Sequence, residues 1–149
     1  VFGFSLSLLV FKIRRMSMSL LVIFLGTILA ILISTLVGSL TILVLGDTFV
    51  ATQEILSRTE PNFLYFLVAL FSGMAGAYAY SRPKVLESIT GIAISVAIIP
   101  PLAVTGLQMG LQNWNLAEQS FLLYLFNLAG IVFGSLIVFL FLGFGRENK

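Results

Sequence analysis

The chain contains no cysteine and no histidine among its 149 residues. The missing cysteines exclude disulfide bonds, and the missing histidines remove the usual ligands of zinc and haem and the commonest catalytic base. A single pair suggests catalysis: Lys84 and Ser88 lie four residues apart at the end of a hydrophobic run, where Lys84 is more simply explained as a membrane-surface anchor. The sequence therefore predicts that the chain is not an enzyme and has no cofactor and no metal site.

Charge is also scarce, because Asp, Glu, Lys and Arg together make up 9% of the chain, against roughly 25% in soluble domains. The net charge is only +2, and the basic residues form short clusters at the ends of hydrophobic runs. Such clusters are typical of membrane topology signals and not of a nucleic-acid surface, so no nucleic-acid partner is expected.

Hydrophobic residues account for 59% of the sequence, and the mean hydropathy is +1.11. A helix needs about 20 apolar residues to cross a bilayer. Charge-free runs of about that length occupy residues 20–45, 63–80, 88–110 and 121–144. The sequence thus predicts an all-α fold, a polytopic transmembrane helix bundle that forms one domain over residues 1–149. Residues 1–11 reach only about halfway across a bilayer as a helix, so we expect a fragment of a longer protein.

If the runs alternate across the bilayer, seven of the eight Lys and Arg residues fall on one side. These seven are Lys12, Arg14, Arg15, Arg82, Lys84, Arg146 and Lys149. The positive-inside rule then makes the basic loops cytoplasmic, and it places Arg58 and the acidic residues Asp47, Glu54, Glu60 and Glu118 outside. In the outer loops we expect Thr52 to cap a short helical turn, Pro61 to lie in the first turn of the next span, and Trp114 to anchor the loop 111–119 at the interface.

Two consecutive prolines, Pro100 and Pro101, lie near the middle of the run 88–110. Proline lacks an N–H and disfavours helix at the residue before it, so the pair predicts a break at Ile99 to Pro101 that frees the carbonyls of Val96 and Ala97. Broken spans at mid-membrane often line solute or ion paths. The candidate path comprises Ser95, Val96, Ala97, Pro100, Pro101, Thr105, Gln108 and, reaching in from the last span, Asn127. The alternative is a kinked helix whose carbonyls are satisfied by Ser or Thr side chains or by neighbouring helices.

Small residues recur at four-residue spacing, which places them on one helix face. The first full run has Gly26, Ala30, Ser34 and Gly38, and the candidate packing or backbone-access glycines of the later runs are Gly73, Gly76, Gly91, Gly106, Gly130 and Gly134. Such residues allow membrane helices to approach closely. They predict packing seams within one bundle; the alternative is that Gly73 and Gly76 leave room for a backbone or a ligand beside the broken span.

Three segments carry a resemblance to a known family. They are the stretch SGMAGAYA at 72–79, the stretch GIAISVAIIPPLAVTG at 91–106 after a short basic turn, and the stretch EILSRTEPN at 54–62, together with Asn127. The chain resembles the prokaryotic hydrophobic membrane family known as domain of unknown function 389 over most of its length. The resemblance implies a multi-pass protein of the prokaryotic inner membrane, usually with a further Pro- and Gly-containing hydrophobic segment upstream.

Two functions fit these features. The first is a small-solute or ion transporter or channel-like domain with a midplane site at the broken helix. The second is a structural or sensory membrane domain without transport. The expected partners are the lipid bilayer, a small solute or ion, and further copies of the chain in a homo-oligomer. A second broken span upstream would favour transport.

The topology is testable because the chain has no native cysteine. We expect a membrane-impermeant thiol reagent added to intact cells to label Ser57→Cys but not Ser81→Cys, since the positive-inside rule places them on opposite sides. Labelling of Ser81→Cys alone would reverse the orientation.

Overall fold

The computed structural model describes residues 1–10, 13–46, 51–81 and 87–144, although the side chains of residues 13 and 87–96 lie outside that description. All regular structure within these residues is helical. The helices are α1 (Phe2–Leu9), α2 (Ile13–Leu45), α3 (Gln53–Ser57), α4 (Phe63–Tyr80), α5 (Glu87–Gly110) and α6 (Trp114–Phe141). The predicted all-α bundle is confirmed.

Polar caps start the helices that follow the loops. Thr52 accepts a hydrogen bond from the backbone N–H of Ile55 at the start of α3, as the sequence predicts. Asn62 does the same for Leu64 at the start of α4. Pro61 therefore lies before the cap of α4, outside the first turn where the sequence placed it.

The turn between α5 and α6 is only three residues long, from Leu111 to Asn113. The N–H of Asn113 bonds to the carbonyl of Gln108, and Gln112 adopts a left-handed backbone with φ 59°. This pattern is a Schellman motif, which ends α5 sharply. The side chain of Asn113 then accepts from the N–H of Leu116 and starts α6 at once. The loop predicted at 111–119 is thus mostly the first turns of α6.

The helix α2 begins at Ile13, seven residues before the predicted apolar run at residue 20. No glycine or proline interrupts residues 13–20, so the helix extends through the basic residues Arg14 and Arg15, both exposed. At 1.5 Å per residue its 33 residues span about 50 Å, more than the roughly 30 Å hydrocarbon core.

The four long helices pack as two parallel pairs, α2 with α5 and α4 with α6. Contacts between α5 and α6, and between α4 and α5, join the pairs into one bundle. Because α5 and α6 are antiparallel, the last residues of α2 and α5 and the first residues of α4 and α6 point toward the same end of the bundle, where the α5–α6 turn lies. We call it the Trp114 end. The short helix α1 lies against α2 and α6 at the opposite end of the bundle.

Both parallel pairs meet through glycine seams, where backbones touch. A Cβ at Gly134 would collide with the carbonyl oxygen of Leu70, and one at Gly73 would collide with the backbone of Ile131. In the α2–α5 pair, Gly38 and Gly110 face each other in the same way, and Gly106 lies against the backbone of Ile31 and the side chain of Ser34. These seams are the close approaches that small residues permit in membrane helices.

Two positions modify the predicted packing faces. Gly26 is exposed, and among the described residues no atom lies within 4 Å of a Cβ built on it, so the α2 seam does not extend that far. Gly76 faces the ring of Phe2 in α1, so α1 occupies the room that this glycine leaves.

Three helices in the described part of the chain are long and apolar enough to cross a membrane, in the segments Arg14–Leu45, Phe63–Tyr80 and Trp114–Phe141. The portion of α5 whose side chains are described, Ala97–Gly110, is a shorter apolar helix. Most large side chains of α2 are exposed, as expected for a helix surrounded by lipid.

We expect Gly134→Leu to destabilise the bundle, since a side chain there meets the backbone of α4. Overpacking costs about 1–3 kcal/mol, and more where backbone must move. The matched control is Gly26→Leu, which makes the same change of residue in open space. Thermal unfolding in detergent should show a lower midpoint for Gly134→Leu only; equal midpoints for the two variants would argue against the α4–α6 seam.

Candidate functional site at the proline pair

The helix α5 runs from Glu87 to Gly110 with both prolines inside it. The sequence predicted a break at Ile99 to Pro101, and the structure has no interruption of the helix there. Proline's own φ near −65° suits a helix, so the obstacle is the missing N–H and the ring's clash with the carbonyl four residues back. The helix therefore continues only if the carbonyls that lose their donors find others.

Pro101 has no N–H to donate to the carbonyl of Ala97. This carbonyl accepts a hydrogen bond from α6 instead. The side-chain Nδ2 of Asn127 donates to this oxygen at 2.8 Å, and both residues are buried. A carbonyl can accept only from the amide nitrogen, which fixes the orientation of the Asn127 side chain. Asn127 therefore replaces the missing backbone bond, in the middle of both helices.

One turn toward the Trp114 end, the carbonyl of Pro101 accepts two further hydrogen bonds. The hydroxyl of Thr105 donates to it at 2.8 Å from the same helix, and that of Ser120 donates at 2.7 Å from α6. All three residues are buried. This carbonyl loses no backbone donor to the prolines, because residue 105 is threonine, so the two hydroxyls add polar contacts to the bond that Asn127 makes with Ala97.

Two buried polar atoms have no hydrogen-bond partner among the described residues: Asn127 Oδ1 and Gln108 Nε2. A buried polar group without a partner costs about 1–3 kcal/mol. Asn127 is 5% exposed and Gln108 is 1% exposed, so bulk solvent does not supply the partner. Gln108 lies eleven residues beyond Ala97 on α5, about 16 Å along the helix, so the two atoms belong to different places.

The buried face of α6 presents the polar groups that tie the bundle together. Besides Ser120 and Asn127, Tyr124 shares a hydrogen bond of 2.6 Å with Thr27 of α2, and Ser135 donates to the carbonyl of Gly73 in α4. Sequence reasoning missed Ser120, Tyr124 and Ser135. Helical spacing is the sequence feature that could have identified them, since positions 120, 124 and 127 lie on the face that also carries Gly130 and Gly134.

The other predicted positions are distributed as follows. Thr105 and Asn127 meet the proline turn, Gln108 lies apart, and Gly73, Gly106, Gly130 and Gly134 belong to the helix seams. Lys84, the side chains of Ser88, Ser95 and Val96, and the surroundings of Gly91 lie outside the description.

The cavities that border the described part of the bundle include one at each end. One, of about 380 Å³, lies between α2, α5 and α6 at the Trp114 end and has Thr105 in its wall. The other, of about 530 Å³, is at the opposite end between α1 and the start of α2, with Arg15 as the charged side chain of its described lining. None of the predicted path residues belongs to the described lining of the cavity of about 530 Å³, whereas Thr105 lines the other cavity and connects it with the proline turn.

Long apolar helices joined by glycine seams and by polar contacts at mid-depth define a multi-helix membrane protein. Within that class, the chain belongs to the family described as Domain of unknown function (DUF389), whose model matches residues 1–133.

It is also similar to an uncharacterized protein of Methanocaldococcus jannaschii, MJ0678, with 33% identity over 89 residues. The match covers 58% of this chain and 27% of that protein, so the chain corresponds to about a quarter of its relative. No solved structure matches the chain.

Because Asn127 replaces a backbone bond, substitutions of Asn127 and of Pro101 should have coupled effects on the free energy of unfolding. Asn127→Leu should lower the free energy of unfolding by about 1–3 kcal/mol because the Ala97 carbonyl loses its donor. In a Pro101→Ala background the restored N–H serves that carbonyl, so the cost of Asn127→Leu should fall. Pro100→Ala is the matched control, since its N–H serves the carbonyl of Val96 instead. The measurement is a double-mutant cycle by unfolding in mixed micelles, and an equal cost of Asn127→Leu in all three backgrounds would contradict the replacement.

Proposed function

We propose that this chain is a channel-like or transporting membrane domain that passes a small polar solute or ion beside the proline turn. The observation that carries the proposal is Asn127 Oδ1, a buried oxygen at mid-depth without a hydrogen-bond partner among the described residues. In hydrocarbon such an atom is costly, and a passing guest that donates a hydrogen bond or carries positive charge offsets the cost.

The chemistry of the neighbouring groups favours the same guests. The hydroxyls of Ser120 and Thr105 already donate to the Pro101 carbonyl, so their remaining capacity is as acceptors. With Asn127 Oδ1, the turn therefore has three side-chain oxygens that can accept, beside the Asn127 amide nitrogen that donates to Ala97. A solute with N–H or O–H groups, or a small cation, complements them.

A second candidate is a structural or sensory membrane domain without transport. It is favoured by the bond between Asn127 and Ala97, because the carbonyl freed by Pro101 already has a donor. On this alternative the polar contacts only lock α5 to α6, and the oxygen of Asn127 has no ligand.

The location and orientation belong to the same proposal. We place the chain in a prokaryotic inner membrane, with the basic segment ends in the cytoplasm and the Trp114 end outside. The exposed apolar surface of α2 supports contact with lipid, and association of further copies through it is compatible with this arrangement.

Flux through reconstituted vesicles tests transport. Stopped-flow light scattering follows the volume of proteoliposomes exposed to gradients of urea, glycerol, ammonium chloride or potassium chloride. We expect wild-type protein to accelerate the response to at least one solute and Asn127→Leu to return it to the rate of protein-free liposomes. The matched control is Asn115→Leu, at an exposed position whose side chain bonds only to Gln119 among the described residues.

Equal rates for wild type and Asn127→Leu, at equal amounts of inserted protein, would contradict a path beside Asn127. A wild-type rate no higher than that of protein-free liposomes for every solute would favour the structural or sensory alternative.

A further inference from the structure

We propose that the groove between α2, α5 and α6 at the Trp114 end binds an organic ammonium ion. The ammonium ion is the class of guest that we infer for the proposed function. Its binding in the groove does not depend on that function, whereas its passage through the bundle rests on it. The groove has a volume of about 380 Å³, within the range of small-ligand pockets. Its described lining is Ile31, Thr105, Met109, Trp114, Ala117, Glu118 and Phe121.

The charge of the groove is negative. Glu118 is the charged residue of the described lining, and no Lys or Arg accompanies it there. Arg58, in the loop that precedes α4, is engaged with Glu54 in an ion pair of 2.8 Å. The carbonyl end of α5 and the amide end of α6 meet beside the groove, so their opposite helix dipoles largely offset each other. The carboxylate of Glu118 therefore sets the sign of the ligand.

The aromatic side chains that line the groove favour an organic cation as the ligand. Trp114 and Phe121 lie about two turns apart on α6, and both line the groove. Phe121 is held by the ring of Tyr124, with centroids 5.7 Å apart. Faces of aromatic rings attract cations, most of all the indole ring, and pairs of rings with a carboxylate suit alkylammonium groups. Ile31, Met109 and Ala117 add apolar surface for the alkyl substituents.

The inner wall of the groove connects to the proline turn through Thr105. This residue is 3% exposed, lines the groove and donates its hydroxyl hydrogen to the Pro101 carbonyl. Its oxygen lone pairs are left to accept from a guest. The same carbonyl is reached by Ser120, and Asn127 follows two turns deeper on α6. The groove is thus placed as an outer binding site above the polar contacts of the bundle.

The ammonium group has two possible sources, a lipid headgroup and a free amine in solution. Trp114 distinguishes them because it is the only tryptophan of the chain, so its fluorescence reports on this groove alone. The probe is tetramethylammonium chloride, titrated against equal concentrations of sodium chloride. The protein is reconstituted in vesicles of phosphatidylglycerol, with and without phosphatidylethanolamine.

We expect a saturating change of Trp114 emission with tetramethylammonium in phosphatidylglycerol vesicles. Glu118→Gln should raise the apparent Kd by about fivefold, the worth of a partly solvated ion pair. The matched control is Glu60→Gln, which removes an exposed carboxylate outside the groove and should leave the Kd unchanged. A non-saturating response, or the same Kd for wild type and Glu118→Gln, would overturn the proposal.

Comparing the two lipid compositions shows whether the ammonium group comes from a lipid headgroup or from a free amine. Either outcome supports an ammonium site in the groove. A higher apparent Kd in vesicles with phosphatidylethanolamine identifies a headgroup that competes for the groove, whereas an equal Kd identifies a free amine. Asn127→Leu separates this proposal from the transport proposal, since Asn127 lies nine residues from Glu118, about 13 Å along α6. That variant should keep the Trp114 response; a lost flux with a kept response bears on transport alone.

Discussion

A backbone carbonyl that loses its intrahelical donor inside a bilayer has no water to replace it. Pro101 creates this problem for Ala97 in the middle of α5, and the side chain of Asn127 answers it from α6. The helix therefore continues through two prolines, and the bond between Asn127 and Ala97 joins α5 to α6 at this place. One turn away, Ser120 and Thr105 add further hydrogen bonds at the Pro101 carbonyl, and the Ser120 bond is a second polar link between α5 and α6.

The glycine seams pack α5 and α6 against their other neighbours in the bundle. Side chains as short as Asn and Ser reach a neighbouring backbone only if the helices lie close together. Gly130 and Gly134 bring α6 against α4, while Gly38, Gly106 and Gly110 bring α2 against α5. The two parallel pairs then leave α5 and α6 facing each other with their polar groups inward. Packing through small residues and satisfaction of the proline turn are thus two parts of one arrangement.

The sequence predicted the helices well where the physical signal is local. The apolar run 63–80 has the same bounds as α4, and the run 88–110 differs from α5 by one residue at its start. The start of α6 was missed because the cap at Asn113 and the Schellman motif at Gln112 are short polar signals in a segment that otherwise looks like a loop. Helix bounds follow from composition and caps, so these errors were confined to the ends.

The site was harder to predict than the helices. Proline chemistry identified the Ala97 carbonyl, and residue type identified Asn127, but a break was expected because no single residue reveals a donor on another helix. Whether a freed carbonyl faces a cavity or a neighbour depends on the relative rotation of α5 and α6, which the seams determine. For the same reason Ser120 was missed, since serine is common in membrane helices and its partner lies nineteen residues away in sequence.

The contact on which the account depends can be measured directly in a bilayer. Solid-state NMR on protein labelled with ¹³C at alanine carbonyls and ¹⁵N at asparagine side chains reports the dipolar coupling between Ala97 and Asn127. The account predicts a ¹³C–¹⁵N coupling of the size expected when Nδ2 lies 2.8 Å from the oxygen bonded to the labelled carbon, and its loss in Asn127→Leu. The absence of any such coupling in the wild-type protein would contradict it.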